Sequence, residues 1–412
     1  MRNYFNFLIK SEFNKNVYTL FKGILIAQVF GVIGNLFLAK YYGETSYGFY
    51  SIILSNTGIF TVLLTFNFEQ TIILTKSEKQ RTTIINGLFT FALAVSIILL
   101  TLITFLNLSI DSYVPNIYQL VILCGFIMAI KNILEMYYNQ KSAYKIISNS
   151  KIWLIVLTIG IQFLLLDYHD TLGLAIGFLI ANFLIVIFYL YNSNLLFKIP
   201  EKKSVIELFK TYKKILYYGF SSNLINSIAN NILPILIAFF FTVSETGVFA
   251  LSIKVVLTPM LLISSSISPV FFQQGNEIYK TDKSLFYPFL KKVVFQNLIV
   301  IGIIIILINI IGVPLLNFFF KNEFENLNFY IAIISFYVIA RSCYNPISYI
   351  STIVNKLQVE LYLNLYLITI NIAAIYIGYY YQNLLITVGL FSVFSGMGYV
   401  FSLLYFLKTI RT

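Results

Sequence analysis

Charged residues are scarce in this sequence: Asp, Glu, Lys and Arg make up 11% of its 412 residues, against 59% hydrophobic residues. A soluble protein of this length needs a polar surface, so the composition excludes a soluble globular fold. Long apolar runs, such as the one at Ile301–Leu316, exclude the alternating pattern of a membrane β-barrel. The remaining class is an all-α polytopic membrane protein, in which each helix needs about 20 residues to cross a bilayer.

Cysteine and histidine are also rare. Cys124 and Cys343 both fall within apolar runs, and His169 is the only histidine. Two thiols inside membrane spans do not predict a structural disulfide, and no Cys/His spacing typical of a metal site occurs. The sequence also lacks a nucleophile–base set and a nucleotide-binding loop. We therefore predict no catalytic residues, no metal and no cofactor, which means that the protein is not an enzyme.

The apolar runs predict twelve membrane spans, numbered in chain order. They lie at roughly residues 18–41, 47–73, 83–107, 117–138, 151–167, 172–192, 214–242, 246–272, 289–316, 328–350, 359–380 and 385–407. The connections between them are short, and the longest, near residues 192–213, is also the most basic.

The 28 Lys and Arg residues are distributed unevenly along this pattern. If the N-terminus is cytoplasmic, 23 of them fall on the inner side, and only Lys40 and Lys321 fall at the outer edge. The positive-inside rule then predicts that both termini are cytoplasmic, which agrees with an even number of spans. The net charge of +12 therefore faces the membrane lipids of the inner leaflet and needs no nucleic-acid partner.

A short motif occurs twice, about 199 residues apart: YYGETSYGFYSIILS at Tyr41–Ser55 and FTVSETGVFALSIKV at Phe241–Val255. Gly48 matches Gly247, and both lie in predicted outer turns. Glycine lets two helices reverse closely there, because it has no Cβ. Short matches in apolar sequence also arise by chance, and that interpretation stays open.

The fourth span of each half carries one cation well inside the membrane, Lys131 in one and Arg341 in the other. Together with the repeated turn, this predicts a parallel pseudo-repeat of two six-helix lobes, residues 1–197 and 198–412. Substrate sites of transporters lie at the interface of such repeats.

Placing a charged side chain inside a membrane costs free energy. Each of the three cations Lys131, Arg341 and Lys254 therefore needs a partner or a water-accessible cavity. Lys131 and Glu135 lie four residues apart on one helical face and would neutralise each other in the simpler interpretation. Arg341 and Lys254 would pair with Glu69 or Glu135 of another span in that interpretation. The alternative is that all three cations line a central cleft and attract an anion.

The second interpretation predicts a binding site. Its substrate-binding residues are Lys254, Arg341, Lys131, Asn226 and Asn230, and its ion-coupling residues are Glu69 and Glu135. The two asparagines of span 7 would contact sugar hydroxyls, although amides in membrane helices also hold helices together.

The segment LFLAKYYGETSYGFYSIILS, followed by NFEQTIILTKSEKQ, resembles the opening of Wzx-type polysaccharide flippases of the multidrug/oligosaccharidyl-lipid/polysaccharide exporter superfamily. The shared features are the basic end of span 1 at Lys40, the turn at Gly48 and Tyr50, and the Glu69–Gln70 step. Span 8 is also similar, with Lys254 at the position where these flippases usually carry Lys or Arg.

The resemblance implies a fold like that of the MATE transporters and alternating access through a cationic cavity lined by Lys254, Arg341 and Lys131. The implied cargo is an undecaprenyl-diphosphate-linked oligosaccharide repeat unit, moved from the inner to the outer leaflet of the bacterial plasma membrane. O-antigen or capsule would be the product, and a polysaccharide polymerase and a chain-length regulator would be partners. Relatives often carry an acid in span 7, where this chain has only Asn and Ser.

Two other functions compete with this one. A MATE-like multidrug or cation antiporter would need acids in its cavity, whereas the buried excess here is cationic. A polysaccharide polymerase or ligase would need a sizeable outer loop with Arg and His, whereas the predicted outer loops have about ten residues or fewer.

Overall fold

The computed structural model describes residues 12–75, 77–106, 117–167, 171–193, 195, 198–213, 217, 219–321, 324–356 and 358–411. In that part of the chain the regular secondary structure is entirely helical, without a strand. His169 lies outside the described residues. Cys124 and Cys343 are buried free thiols, as their places in apolar spans predict.

Spans 1 and 2 are continuous in the helix Glu12–Thr65, which is interrupted at Gly43. We call the part before Gly43 α1 and the part after it α2. Gly43 has φ 74°, a conformation that glycine adopts far more readily than other residues. Gly43 is therefore a non-helical kink at which α1 ends and α2 begins.

The other ten predicted spans are separate helices in the described part of the chain. They are α3 (Glu78–Leu106), α4 (Ile117–Gln140), α5 (Tyr144–Leu164), α6 (Gly173–Tyr191), α7 (Phe220–Phe240), α8 (Val243–Thr281), α9 (Lys283–Phe320), α10 (Leu327–Tyr344), α11 (Gln358–Tyr380) and α12 (Leu384–Arg411). Eleven of the described helices are long and apolar enough to cross a membrane, with the α1–α2 pair counted once as Phe30–Thr65. The predicted class, a polytopic helical membrane protein with twelve spans, is confirmed.

Contacts divide the chain into two compact units. Unit 1 comprises Met1–Tyr41 and Ile53–Ser227, and unit 2 comprises Tyr42–Ile52 and Ile228–Thr412. The first outer turn therefore belongs to unit 2, although it lies in the first half of the sequence. The predicted lobes, residues 1–197 and 198–412, stay a prediction.

Unit 1 is built around α4, which packs against α3, α5 and α6. Its apolar core includes Ile133, Leu134 and Ile185, each at most 2% exposed. The hydroxyls of Tyr138 and Tyr189 in this core bond to protein groups, because no water is available to them within the membrane. The Tyr138 hydroxyl donates to the carbonyl of Tyr189 at 2.6 Å, and the two rings stack.

Unit 2 is built around α10, which packs against α8, α9 and α12, while α11 packs against α12. Phe391 of α12 contacts Phe249 of α8 and Tyr337 of α10, with ring centroids 6.0 and 4.6 Å apart. Two amides join further helices to this core. Asn297 of α9 donates to the carbonyl of Ser342, and Asn371 of α11 donates to the carbonyl of Ala229. Such side chain–backbone bonds are typical of helix packing in membranes.

The prediction that Gly48 and Gly247 lie within turns is wrong, because Gly48 is in α2 and Gly247 is in α8. The helical conformation is instead interrupted earlier in each copy, at Gly43 and at Thr242.

The two copies of the repeated motif contact each other within unit 2. The hydroxyls of Thr45 and Ser244, which are 199 residues apart, lie 2.7 Å from each other. Gly48 packs against the carbonyl of Val243, and Gly247 packs against the carbonyl of Glu44. Val243 is four residues before Gly247, and Glu44 is four residues before Gly48. The two contacts are therefore equivalent, as they are in a two-fold symmetric contact. Any side chain at Gly48 or Gly247 would overlap these carbonyl groups.

Candidate functional site

Lys131 lies on α4 in unit 1 and donates a hydrogen bond to the side chain of Asn182 on α6, with Nζ and Oδ1 2.8 Å apart. Asn182 is fully buried, and its own amide donates to the carbonyl of Phe178. Because this second bond fixes the amide, the oxygen of Asn182 is held toward the lysine. The ammonium group therefore has a neutral partner inside the membrane span.

Glu135, one turn beyond Lys131 on α4, pairs with a different lysine. Its Oε1 lies 3.0 Å from Nζ of Lys151 on α5. The interpretation in which Glu135 and Lys131 simply neutralise each other is therefore incomplete, since the salt bridge goes to Lys151. Glu135 still contributes electrostatically to the surroundings of Lys131.

Arg341 lies on α10 in unit 2 and is surrounded by tyrosines. Its Nη1 donates to the hydroxyl of Tyr337 at 2.6 Å, and its guanidinium carbon lies 5.7 Å from the centroid of that ring. Tyr399 of α12 also interacts with Arg341 and is hydrogen-bonded to Tyr337. Nε of Arg341 is buried and has no hydrogen-bond partner among the described residues. The described contacts of Arg341 thus come from hydroxyls and aromatic faces.

Lys254 lies on α8 and contacts the first outer turn. Its Nζ is 5.5 Å from the ring centroid of Tyr47 and 5.8 Å from that of Tyr50. The two rings belong to one turn of α2 and meet edge to face. The electron-rich faces of tyrosine attract a cation, an interaction that strengthens away from water. The repeated motif therefore supplies a cation–π site for Lys254.

Asn226 and Asn230 lie one turn apart on α7, and both side chains are exposed. Between them, Ser227 donates to the carbonyl of Gly58 at 3.1 Å, which joins α7 to α2. Each of the two asparagines also has polar partners of its own. Their predicted contact with sugar hydroxyls stays a prediction.

Glu69 lies beyond the end of α2, in the 3-10 turn Phe68–Gln70. Two left-handed residues precede it, Phe66 and Asn67, with φ 49° and 56°. Burial raises the pKa of Glu69, and hydrogen bonds from its own backbone and from Thr65 oppose that shift. Its Oε2 is buried and has no hydrogen-bond partner in the described part of the chain. A carboxyl group in this position favours its protonated form more than an exposed one does.

The predicted site residues therefore fall into both units. Lys254 and Arg341 belong to unit 2, while Lys131, Glu135 and Glu69 belong to unit 1.

Sequence reasoning missed the partners of the three cations, above all Asn182, Tyr337 and Tyr47. A signal for Asn182 was present, because it is the one amide in the apolar helix GLAIGFLIANFLIVIFYLY. A polar residue in such a helix indicates a buried partner.

The described residues contain no group of three or more His, Cys, Asp or Glu side chains able to hold a metal ion. Two cations of the candidate site, Lys131 and Arg341, have amide and hydroxyl neighbours. Such groups can bind an anion, and Arg can do so with two parallel hydrogen bonds.

Comparison with known sequences identifies one family. A family model described as "Polysaccharide biosynthesis protein" matches residues 37–291. That region includes Lys131, Lys254 and both copies of the repeated motif. No curated protein matches the chain by sequence.

Solved structures of MOP superfamily transporters share the fold. The lipid II flippase MurJ in an inward closed conformation has TM-score 0.70 and 17% identity, over 95% of this chain and 87% of that one. A transporter from Pyrococcus furiosus, described as having a binding pocket of reverse polarity, has TM-score 0.60 and 12% identity, over 98% of each chain. An inward-facing multidrug resistance transporter of the MATE family has TM-score 0.56 and 13% identity, over 96% of this chain and 94% of that one. At these identities the likeness establishes the fold alone.

Proposed function

Because the chain belongs to this family of polysaccharide biosynthesis proteins and has the fold of MOP superfamily transporters, we propose that it is a flippase for lipid-linked oligosaccharides. The cargo is an undecaprenyl-diphosphate-linked repeat unit, which moves from the inner to the outer leaflet of the bacterial plasma membrane. The repeat units then enter O-antigen, capsule or a related glycan. A polysaccharide polymerase and a chain-length regulator are the proposed partners at the outer surface.

The observation that carries this proposal is the family match, since it spans both the Lys131 helix and the Lys254 helix. The charge of the site supports it. Three cations lie on membrane-spanning helices, and their contacts include an amide for Lys131, tyrosines for Arg341 and two tyrosine rings for Lys254. A diphosphate is the part of the cargo that such cations recognise, because its oxygens accept charge-assisted hydrogen bonds from Lys and Arg. Asn226 and Asn230 are proposed to contact the sugars.

Movement of this cargo requires that the site opens to each side of the membrane in turn. The fold supports that mechanism, because transporters of this fold are known in inward-facing and outward-facing conformations. We propose that Glu69 and Glu135 are the ion-coupling residues. Glu69 fits this role better, since Glu135 already holds Lys151 at 3.0 Å.

Reconstitution tests the proposal directly. The full chain is placed in liposomes containing a fluorescent undecaprenyl-diphosphate-linked oligosaccharide, and a membrane-impermeant quencher reports the fraction in each leaflet. We expect the protein to transfer the labelled lipid, and Arg341→Ala and Lys254→Ala to slow the transfer at matched protein levels. Lys203→Gln is the control, since Lys203 is an exposed lysine of the helix Lys202–Thr211. Transfer of the labelled lipid that is no faster than in protein-free liposomes would contradict the proposal.

A multidrug or cation antiporter is the second candidate, because MATE transporters share the fold. The same liposomes distinguish the two functions when they are loaded with a fluorescent organic cation. Efflux of that cation driven by a proton or sodium gradient, without transfer of the lipid-linked oligosaccharide, would favour the antiporter.

A further inference from the structure

Unit 1 contains an apolar groove that the candidate site does not use. It lies between α3, α4 and α6 and has a volume of about 390 Å³. Its walls include Phe89, Leu93, Phe126, Ile130, Phe183 and Val186. The volume is within the range of roughly 300–1,000 Å³ that is usual for small-molecule sites. We call it the α3–α6 groove.

The groove suits an apolar occupant. The polar residues of α3 that line it are Asn86 and Thr90, and the Thr90 hydroxyl donates to the carbonyls of Asn86 and Gly87 at 3.0 Å. Asn86 has polar partners as well. A water molecule in the groove would find few hydrogen bonds, and a buried water normally makes about three. A hydrocarbon chain fills such a space without that cost.

The groove is open along its length rather than sealed. Leu93 and Phe183 on its rim are 47% and 49% exposed. Both residues belong to helices that are long and apolar enough to cross a membrane, so hydrocarbon from the bilayer surrounds the rim. A lipid chain can therefore enter the groove from the side.

One end of the groove carries a positive charge. Lys198 and Ile199, from the connection that follows α6, complete the lining, and both are exposed. This connection is on the predicted cytoplasmic side, where anionic lipids attract basic residues. The groove thus has an apolar body and a cation, Lys198, at its cytoplasmic end. This arrangement complements an anionic phospholipid, which has apolar acyl chains and a negatively charged phosphate.

A second groove of similar size provides a contrast within the same molecule. It lies in unit 2, has a volume of about 420 Å³ and is lined by Lys356, Tyr362, Tyr366 and Tyr405. Its lysine is already engaged, since Nζ of Lys356 lies 3.4 Å from the hydroxyl of Tyr405. The unit 2 groove therefore combines hydroxyls with a lysine that has a partner, and it suits a phospholipid less well.

We propose that the α3–α6 groove binds an acyl chain of an anionic phospholipid from the inner leaflet, with Lys198 holding the phosphate. The bound lipid joins the connection after α6 to the helices of unit 1. This site is separate from the transport reaction and does not depend on the cargo. Its occupant is a resident lipid of the membrane.

The first test locates the bound acyl chain on the unmodified protein. Phosphatidylglycerol with a photoreactive diazirine at the end of one acyl chain is added to the full chain in detergent, and labelled peptides are identified after illumination. We expect labels in the peptides containing Leu93, Phe126 or Phe183. Labels confined to other helices would overturn the proposal. So would equal labelling of these peptides by the corresponding phosphatidylcholine probe, because it would show that the headgroup charge is not recognised.

The second test uses matched variants and measures the apparent affinity for phosphatidylglycerol from lipid-dependent thermal stabilisation. Lys198→Gln should weaken it about fivefold, because one basic residue near an anionic headgroup contributes about 1 kcal/mol. Lys356→Gln removes the same charge from the other groove and should leave the affinity unchanged. Equal losses in both variants would show general attraction rather than a site, and would overturn the proposal.

Filling the groove gives an independent result. Thr90→Trp places an indole in it and should abolish the labelling of Phe126 and Phe183. Thr101→Trp, on an exposed position of the same helix, is the control for folding. Retained labelling in Thr90→Trp would contradict the proposal. Displacement of phosphatidylglycerol by an equimolar undecaprenyl diphosphate would also overturn it, since the groove would then hold the tail of the cargo.

Discussion

Lys131 and Arg341 occupy the fourth membrane helix of each half, yet the chain stabilises them differently. Lys131 donates to the amide of Asn182, and a salt bridge between Glu135 and Lys151 lies one turn away. Arg341 lies among Tyr337 and Tyr399, and its described contacts are hydroxyls and an aromatic face.

Both helices carry a cation within the span, and the side chains that contact this cation differ between them. An ammonium group is a compact point charge with three donors, whereas a guanidinium is planar and can stack on an aromatic ring. Nε of Arg341 is buried and has no partner among the described residues, so it is a donor that the proposed diphosphate could use. We therefore expect substitutions around Lys131 to affect folding and substitutions of Arg341 to affect transport more strongly. The predictions below test this comparison between the halves, from the largest effect to the smallest.

The largest effect should come from the contact between the two copies of the repeated motif, at Gly48 and Gly247. Gly247→Ala in unit 2 would place a Cβ against the Glu44 carbonyl group and 2.9 Å from the backbone nitrogen of Gly48. We expect a loss of about 3 kcal/mol or more in unfolding free energy, measured by SDS titration in mixed micelles. Gly48→Ala should cost a similar amount, since the contact is reciprocal.

Gly302→Ala is the control, because at that helical position no described atom beyond the adjoining backbone of the same helix lies within 4 Å of the added Cβ. It should stabilise the protein by about 0.5–1 kcal/mol, as alanine does in a helix. Equal responses at Gly247 and Gly302 would contradict the close crossing.

The next largest effect should be on the unit 1 cation. Asn182→Leu removes the described acceptor of the Lys131 ammonium and should cost about 3 kcal/mol, because a buried charged donor loses its bond. Lys131→Met in the same chain should restore most of that stability. The same SDS titration provides both values. Failure of the second substitution to rescue the first would show that Asn182 acts through packing alone.

A smaller effect is expected for the unit 2 cation. Tyr337→Phe removes the hydroxyl that accepts from Arg341 and keeps the ring, so it should cost about 2 kcal/mol. Arg341 retains Tyr399 and the aromatic face as partners. Tyr362→Phe is the control, since Tyr362 is 65% exposed. A cost larger than that of Asn182→Leu would reverse the proposed order of the two halves.

Glu135→Gln should have a modest effect on stability. It breaks the salt bridge with Lys151, but the two side chains are 27% and 38% exposed, so the expected cost is about 1 kcal/mol or less. Transport that keeps its dependence on the ion gradient in this variant would exclude Glu135 as the ion-coupling residue. Loss of that dependence would favour it.

Glu69→Gln should have the smallest effect, and one that depends on pH. Burial raises the pKa of Glu69 above its ordinary value of 4.5, so the folded protein binds its proton more tightly than the unfolded chain does. The stability that this group contributes is complete below the ordinary pKa and is lost as pH rises through the raised value. The variant should therefore be more stable than the parent at pH 8, and thermal unfolding should show the difference shrinking toward pH 4. A constant difference would exclude this account.

Much of the fold could be predicted from the sequence, because apolar runs of sufficient length have few alternatives to membrane helices. The repeated motif and the two deep cations also follow from the residues themselves. Helix ends were less predictable. Span 8 was expected at roughly residues 246–272, whereas α8 extends over Val243–Thr281, since its polar continuation carries no apolar signal.

The partners of the buried cations could not be predicted in the same way. Lys131 and Asn182 are 51 residues apart, and which faces of α4 and α6 meet depends on tertiary packing. A tyrosine in a membrane helix also has two roles, as a ring and as a hydroxyl, and the sequence does not separate them. The interpretation that paired Arg341 with Glu69 or Glu135 did not consider Tyr337, which is on the same helix one turn away.

The assignment of Tyr42–Ile52 to unit 2 has a consequence for how the protein is assembled. If the chain were severed in the basic connection between its halves, the C-terminal piece would lack the copy of the repeated motif that contacts its own Gly247. The two fragments would then complete one another only when made in the same cell, as complementing halves of a split protein do.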